Sequence, residues 1–382
     1  MPLLKFKTIN LAFHGVCIVV VVTYGILSVF EFMKNQDSSE ISFKPFHMDD
    51  ESFYPSLSMC LNNPFKEDRL AKNVTISQYL SYLIGRKRGN QNLFHIEYEN
   101  VSIQLHDFLI DAFVKYKDES FTPRKIEKVE SHSWGWIAGV MKCFTFDVPY
   151  SKGSLINTMN ILFNNTIFPH GKRPLDGWSS GGLSIYYHYP MQFGRSFKSN
   201  KRFWDRRWSN SPYRIRFYLN GIEVLRKRNK ARDKCQQETS YDDSVVKHII
   251  DIVKCKPPYF NVLRNESACK TKDELNKAAR LFWSIFFGLD SIAIPCTEVH
   301  KVDLENKDTD DDSLDESQTL LKLYLNTAGY QEIRQTRAYT MMMLFGNVGG
   351  FVGLLLGCTL AQIPSFVLIS LGYFRQIYTK LK

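Results

Sequence analysis

The sequence predicts an α+β membrane protein in which two transmembrane helices flank a large, disulfide-bonded, mostly β outer domain. Three observations carry that expectation: an apolar run near the start, a longer one near the end, and the placement between them of four Asn-x-Ser/Thr sequons and six of the eight cysteines. Composition alone, with 382 residues, 44% hydrophobic content and a net charge of +10, would suit two water-soluble domains. The distribution along the chain argues otherwise.

Residues 1–12 carry Lys5 and Lys7 and read as a short cytoplasmic end. Residues 13–32 are apolar over about one bilayer thickness, with His14 and Glu31 near the ends as the strongly polar groups, and predict the first span. A cleavable signal peptide is the rival reading; the length of the run and the lack of an Ala-x-Ala-like site stand against it. Residues 375–382 carry Arg375, Lys380 and Lys382 after the second run, so the positive-inside rule leaves both ends in the cytosol and residues 33–340 outside. The sequons at Asn73, Asn100, Asn164 and Asn265 all fall in that outer stretch and are candidate N-glycosylation sites.

Residues 341–374 contain no charge. A straight helix of that length would reach ~50 Å against a hydrocarbon core of ~30 Å, so the segment either tilts strongly or is interrupted. Gly346, Gly349, Gly350, Gly353 and Gly357 recur every three or four residues, the spacing that lets membrane helices approach closely. Gly357-Cys358-Thr359 lies mid-run and Gln362 and Pro364 follow, where a free backbone carbonyl is costly unless it faces protein or water. A single tilted anchor with a proline kink and a broken helix lining a cavity both fit these residues.

Between the runs, alternation over Leu183–Tyr189, Tyr213–Leu219 and Leu320–Leu325 predicts half-buried strands, and three- and four-residue steps predict helices over Ile76–Leu83, Ser244–Lys254 and Lys272–Phe287. Asn220-Gly221 reads as a tight turn. Two charge runs stand out. Arg195–Lys234 holds 14 basic and 3 acidic residues with Trp204 and Trp208 interleaved, a pattern of nucleic-acid binding in a nuclear protein. Outside a cell, with no nucleic acid to meet, it faces acidic groups of a neighbouring lobe or subunit. Eight of the fourteen residues from Asp303 to Glu316 are acidic and read as a solvated loop, or alternatively as a patch responsive to cations or protons.

Cys17 and Cys358 sit in the apolar runs. Cys60, Cys143, Cys235, Cys255, Cys269 and Cys296 lie outside, an even number suited to disulfides whose pairing the sequence leaves open. No spacing suggests a metal site or a cofactor. Gly177-Trp178-Ser179-Ser180-Gly181 matches the nucleophile-elbow pattern in letters but lacks the strand before and helix after that a hydrolase requires. The chain is not expected to be an enzyme.

Four ordered landmarks resemble the degenerin/epithelial sodium channel family, which includes acid-sensing and peptide-gated channels. They are Arg337-Ala338-Tyr339 before the second run, Gly346-Asn347-Val348-Gly349-Gly350, Gly353-Leu354, and Gly357-Cys358-Thr359. Phe53–Phe65 is similar to the family's strand after the first span, and Lys142–Phe146 to its disulfide partner. The Cys255–Tyr259 and Gln362–Pro364 runs look most like invertebrate members.

The resemblance implies a trimeric channel of homo- or heteromeric type whose three second spans line a sodium-conducting pore at the plasma membrane. A hand-shaped outer domain of palm, β-ball, short finger and thumb, the last at about 235–296, would pass an extracellular stimulus to it. It implies Gly357, Cys358 and Thr359 as the selectivity filter, Met343, Gly346, Gly350 and Gly353 as pore and gate positions, and bridges Cys60–Cys143, Cys235–Cys296 and Cys255–Cys269. The chain departs from the family in several places: the finger lacks its extra cysteine pair, the thumb has four cysteines where acid-sensing relatives have more, and three features at the apolar runs differ. His14-Gly15 abuts the first span instead of lying well before it, Thr359 replaces a serine, and Ser365 stands where many relatives have a carboxylate. A non-conducting auxiliary subunit and a tethered receptor ectodomain are the alternative functions.

Overall fold

The computed structural model describes residues 2–46, 56–86, 93–118, 122–136, 139–147, 155–166, 183–188, 192–193, 213–230, 234–236, 240–260, 266–287, 292, 294–310, 314–315 and 317–356. The helices are α1 (Pro2–Lys34), α2 (Ile76–Leu83), the short α3 (Tyr98–Val101) and α4 (Leu105–Phe108), α5 (Tyr241–Val253), α6 (Lys272–Phe287) and α7 (Met341–Leu356). The strands are β1 (Asp37–Pro45), β2 (Ser56–Leu61), β3 (Leu109–Tyr116), β4 (Arg124–Lys125), β5 (Val129–Trp136), β6 (Gly139–Phe146) and β7 (Ile156–Asn164). They continue with β8 (Leu183–His188), β9 (Tyr213–Arg226), β10 (Cys235–Gln236), β11 (Ile294–Pro295), β12 (Thr297–Asp310), β13 (Gln318–Leu325) and β14 (Gly329–Arg337). The chain divides into two compact units, one of Met1–Glu40 with Gln335–Lys382 and the other of Ile41–Arg334.

The larger unit is α+β. Its eight-stranded sheet runs β1-β14-β9-β13-β7-β3-β4, with β12 also paired to β9, and a four-stranded sheet runs β5-β6-β2-β8. Alternation in β13 is that of a strand with one face buried, every second residue from Thr319 to Leu325 being inside. Strand β2 shows no alternation because both of its faces are covered, all six residues being buried. On one side Leu57 and Met59 join Phe144, Phe163, Phe217 and Leu323 in a core between the two sheets. On the other, Cys60 joins Trp134, Tyr79, Leu83, Ile249, Leu275 and Phe282 under helices α2, α5 and α6.

Strand β9 is long because it serves different partners along one edge. β13 pairs in parallel with Tyr213–Leu219, and β14 takes over at Glu223–Arg226. The other edge pairs antiparallel with β12 throughout. At the hand-over, Asp303 lies opposite Gly221 and Leu304 opposite Leu219, so Asn220 is the extra residue of a bulge. The Asn220-Gly221 turn is thereby corrected: the pair lies at a bulge inside a continuous strand. Asp303–Asp310 is corrected likewise from solvated loop to strand, since it pairs with the Tyr213–Gly221 stretch of β9, which carries Arg214 and Arg216. Residues 311–313 and 316 of the acidic block lie outside the described residues.

Cys60 and Cys143 are opposite one another in the β2–β6 register and are joined, as are Cys235 with Cys296 and Cys255 with Cys269. Helix α2 starts with a capping box, Thr75 and Gln78 exchanging bonds, and stops at Gly85. Gly85 has φ 65°, and Gly85 N donates to the Tyr82 carbonyl while Arg86 N donates to that of Ser81, closing a Schellman motif. A Cβ there would also lie 2.4 Å from Asn276 N in α6, so the glycine both ends α2 and lets α6 approach.

Buried charge near the Cys60–Cys143 bridge is fully engaged. Lys142, 1% exposed, donates from Nζ to Glu99 at 2.8 Å, Ser102 Oγ at 3.0 Å and Gln104 Oε1 at 3.2 Å; burial pushes its pKa down while Glu99 opposes the shift. Asp107 accepts from Lys66 and Arg69, each at 2.9 Å, and from Gln104 N at 2.9 Å. Burial raises its pKa, but these three donors outweigh it and hold the carboxyl at about 2. A carboxyl held low contributes stability that is complete above its ordinary range near 3.8 and is lost as pH falls towards 2. Asp107→Asn is therefore expected to lower the stability of the full chain in detergent by about 2 kcal/mol at neutral pH, the difference shrinking between about pH 4 and 2. Denaturant unfolding at stepped pH reads this, and a pH-independent difference contradicts it.

Candidate functional site

The smaller unit holds both apolar helices. Within α1, Gly15–Lys34 is long and apolar enough to cross a membrane, with mean hydropathy 2.3, whereas the apolar segment Met341–Gly353 of α7 is shorter. From Gly15 on, Cys17, Val21, Tyr24, Gly25, Ser28 and Phe32 are the buried or half-buried positions of α1, a stripe at helical spacing. The matching stripe on α7 is Leu344, Val348, Phe351, Val352 and Leu355. The two helices pack together, with the Tyr24 ring stacked on Phe351 at 4.3 Å between centroids.

That packing sorts the candidate pore positions. Met343 is 52% exposed, and a Cβ placed on Gly346 or Gly350 would meet nothing within 4 Å. Gly353 and Gly349 are half-buried on the flank towards the packed stripe. The glycines therefore do not form a single face against α1. Met343, Gly346, Asn347 and Gly350 lie on surface that α1 leaves uncovered, as do Met341, Met342 and Phe345, and Asn347 is its polar member.

The entry to α7 is tightly specified. Thr340 caps the helix, its Oγ1 accepting from Met343 N at 3.2 Å. Asn347 Nδ2 donates to the Tyr339 hydroxyl at 2.9 Å, tying the residue before the cap to the second turn of the helix. The spacing of eight between Tyr339 and Asn347 is two helical turns plus a step, a relation visible in the sequence only once the helix start is fixed.

The remaining candidates are scattered or lie elsewhere. Gly357, Cys358, Thr359, Gln362, Pro364 and Ser365 fall outside the described residues, as do Asn265 and Gly177–Gly181. Asn73 and Asn100 are exposed. Asn164 ends β7, its Oδ1 accepting from Thr166 N at 2.9 Å and Thr166 Oγ1 at 2.7 Å. Among the described residues, Cys255, Cys269 and Glu274 place their donor atoms close together, but the two cysteines are joined and offer no thiolate to a metal.

The larger unit also has a cavity of about 530 Å³ between the four-stranded sheet and the start of α5. Glu130, Asp147, Asp242 and Asp243 line it against a single lysine, Lys128, and two histidines, His132 and His188. Lys128 bonds Asp147 at 2.8 Å and Glu130 at 2.9 Å; its bond to Asp147 is the main influence holding its pKa above the ordinary lysine range, and its bond to Glu130 holds that carboxyl low. His188 Nε2 lies 2.7 Å from Ser58 Oγ, and Asp242 accepts from Phe193 N at 2.8 Å. Four carboxylates thus face one lysine in this lining.

No curated protein matches the chain. A proton-activated chloride channel solved by cryo-EM aligns with 97% of this chain and 98% of that one, at 8% identity and a TM-score of 0.32, too distant to carry an argument. Residues 233–366 run from the cysteine-bridged helices of the larger unit through β14 and α7, and over them the chain matches the amiloride-sensitive sodium channel family, the degenerin/epithelial sodium channel group that its sequence resembles.

Proposed function

We propose that the chain is one subunit of a trimeric, sodium-selective channel of the plasma membrane, gated by an extracellular stimulus and crossing the bilayer twice with both termini in the cytosol. The observation that carries this reading is the sorted surface of α7. Its apolar stripe is occupied by α1, and the face bearing Met343, Gly346, Asn347 and Gly350 is left open in the single chain. Three copies of that face around an axis would give a pore lined by small residues and an amide, the surface that a hydrated cation needs. Gly357, Cys358 and Thr359 would follow as the filter, since Gly357 removes the side chain that would crowd a carbonyl-lined constriction.

The same reading makes residues 33–340 the extracellular domain, glycosylated at Asn73, Asn100, Asn164 and Asn265. It makes α1 the first span rather than a leader, because its buried stripe is completed by α7. The protein then moves ions rather than transforming a substrate. Expression in oocytes tests this directly. A current carried by sodium and abolished when sodium is replaced by a large impermeant cation supports the channel. No current alone, but current on co-expression with a related subunit, points to an auxiliary role; no current in either case overturns the reading.

Met343 sharpens the test. Resemblance to the family places a small residue at this position, where three side chains converge when the gate shuts. A methionine on the open face of α7 adds bulk there, although its unbranched side chain is adaptable. Destabilising the shut state by ~1.4 kcal/mol raises the open-to-closed ratio about tenfold. Met343→Ala is expected to cut resting current towards zero while stimulated current survives. An unaltered resting fraction shows that Met343 does not act as the wedge.

A further inference from the structure

Arg337 is the last residue of β14, four positions before α7 begins. Its Nη2 donates to the Phe32 carbonyl at 2.7 Å, and its guanidinium carbon sits 3.6 Å from the centroid of the Phe32 ring. Phe32 lies in the last turn of α1, whose carbonyls have no partner further along the helix, and its carbonyl also accepts from Asn35 N at 3.3 Å. A cation at a helix C-terminus complements the helix dipole, and a planar guanidinium on a ring adds a face-on attraction that an ammonium gives less well. Asn35 then turns the chain in the left-handed conformation, φ 51°, and Ala338 N donates to the Gln36 carbonyl at 3.0 Å.

Little slack remains between this contact and α7. Ala338 is bonded to Gln36, the Tyr339 hydroxyl to Asn347, and Thr340 caps the helix. A shift or rotation of the start of α7 must carry Arg337 with it or break its hold on α1.

We propose that Arg337 is a positioning residue that clamps the end of α1 to the start of α7, so that the two helices move as one when the pore opens. The clamp itself is a matter of geometry; only its link to opening rests on the channel reading. Two arms separate them. In the first, Gln36→Cys with Ala338→Cys is made in the full chain and oxidised mildly at the cell surface, and cross-linking is read as lost labelling by a thiol reagent. The expected result is ready cross-linking with Arg337 present, at least tenfold slower in Arg337→Ala at matched surface amount, and intermediate in Arg337→Lys. An equal rate in Arg337→Ala overturns the clamp, whether or not the chain conducts.

The second arm reads the ratio of resting to maximal current in Arg337→Ala, Phe32→Leu and the double variant, each normalised to surface protein. Each single change is expected to alter the ratio at least threefold, and the double variant to match the larger single effect, as shared partners require. Additive effects, or an unchanged ratio while cross-linking slows, overturn the role in gating and leave a static tie.

Discussion

The constraint on which the smaller unit depends is that a helix apolar all round needs more than one neighbour. Helix α1 supplies one face of α7 with a partner, through Tyr24 on Phe351 and the stripes around them, and no more. The face left over is not simply greasy. It presents Gly346 and Gly350 with free space beside each and Asn347 bonded back to Tyr339. Lipid satisfies an apolar face, but an amide and glycine backbone at that depth are better met by water or by other copies of the same surface. The proposed trimer, pore and cation pathway all rest on that one unfilled face.

The larger unit answers a different demand, that of holding its shape through three disulfides. Strand β2 lies between two cores and carries Cys60, so the bridge to Cys143 reinforces a strand that is already buried on both sides. The two further bridges tie the segment from Cys235 to Cys296, where helices α5 and α6 take the place of long strands. Buried ions beside the first bridge are neutralised locally, Lys142 by Glu99 and Asp107 by Lys66 and Arg69. With Asp107 held near 2, that pair does not change charge in mildly acidic surroundings.

Much of this was legible in the residues, and where it was not the reason is physical. Period-two and period-3.6 patterns placed β13 and α6 because those elements bury one face each; β8 and α2 were placed too, although β8 is buried at every residue and α2 at five consecutive ones. They underestimated β9, whose second half pairs with β14 and β12 rather than ending in a turn at Asn220-Gly221. Local charge misled at Asp303–Asp310: four carboxylates in eight residues, at the start of a longer acidic block, look like a loop until the basic strand beside them is known. Disulfide partners came from resemblance, not from spacing. Arg337 and Phe32 are 305 residues apart, and nothing in either neighbourhood announces that they meet.

The central claim is that the uncovered face of α7 lines a water-filled ion pathway. Cysteine accessibility measures this most directly, with Gly346→Cys, Gly350→Cys and Val352→Cys each exposed to a small cationic thiol reagent during sodium current. The account predicts rapid, irreversible block at 346 and 350 and none at 352, which packs on the α1 side. Modification at 352 with no effect at 346 and 350 would contradict it.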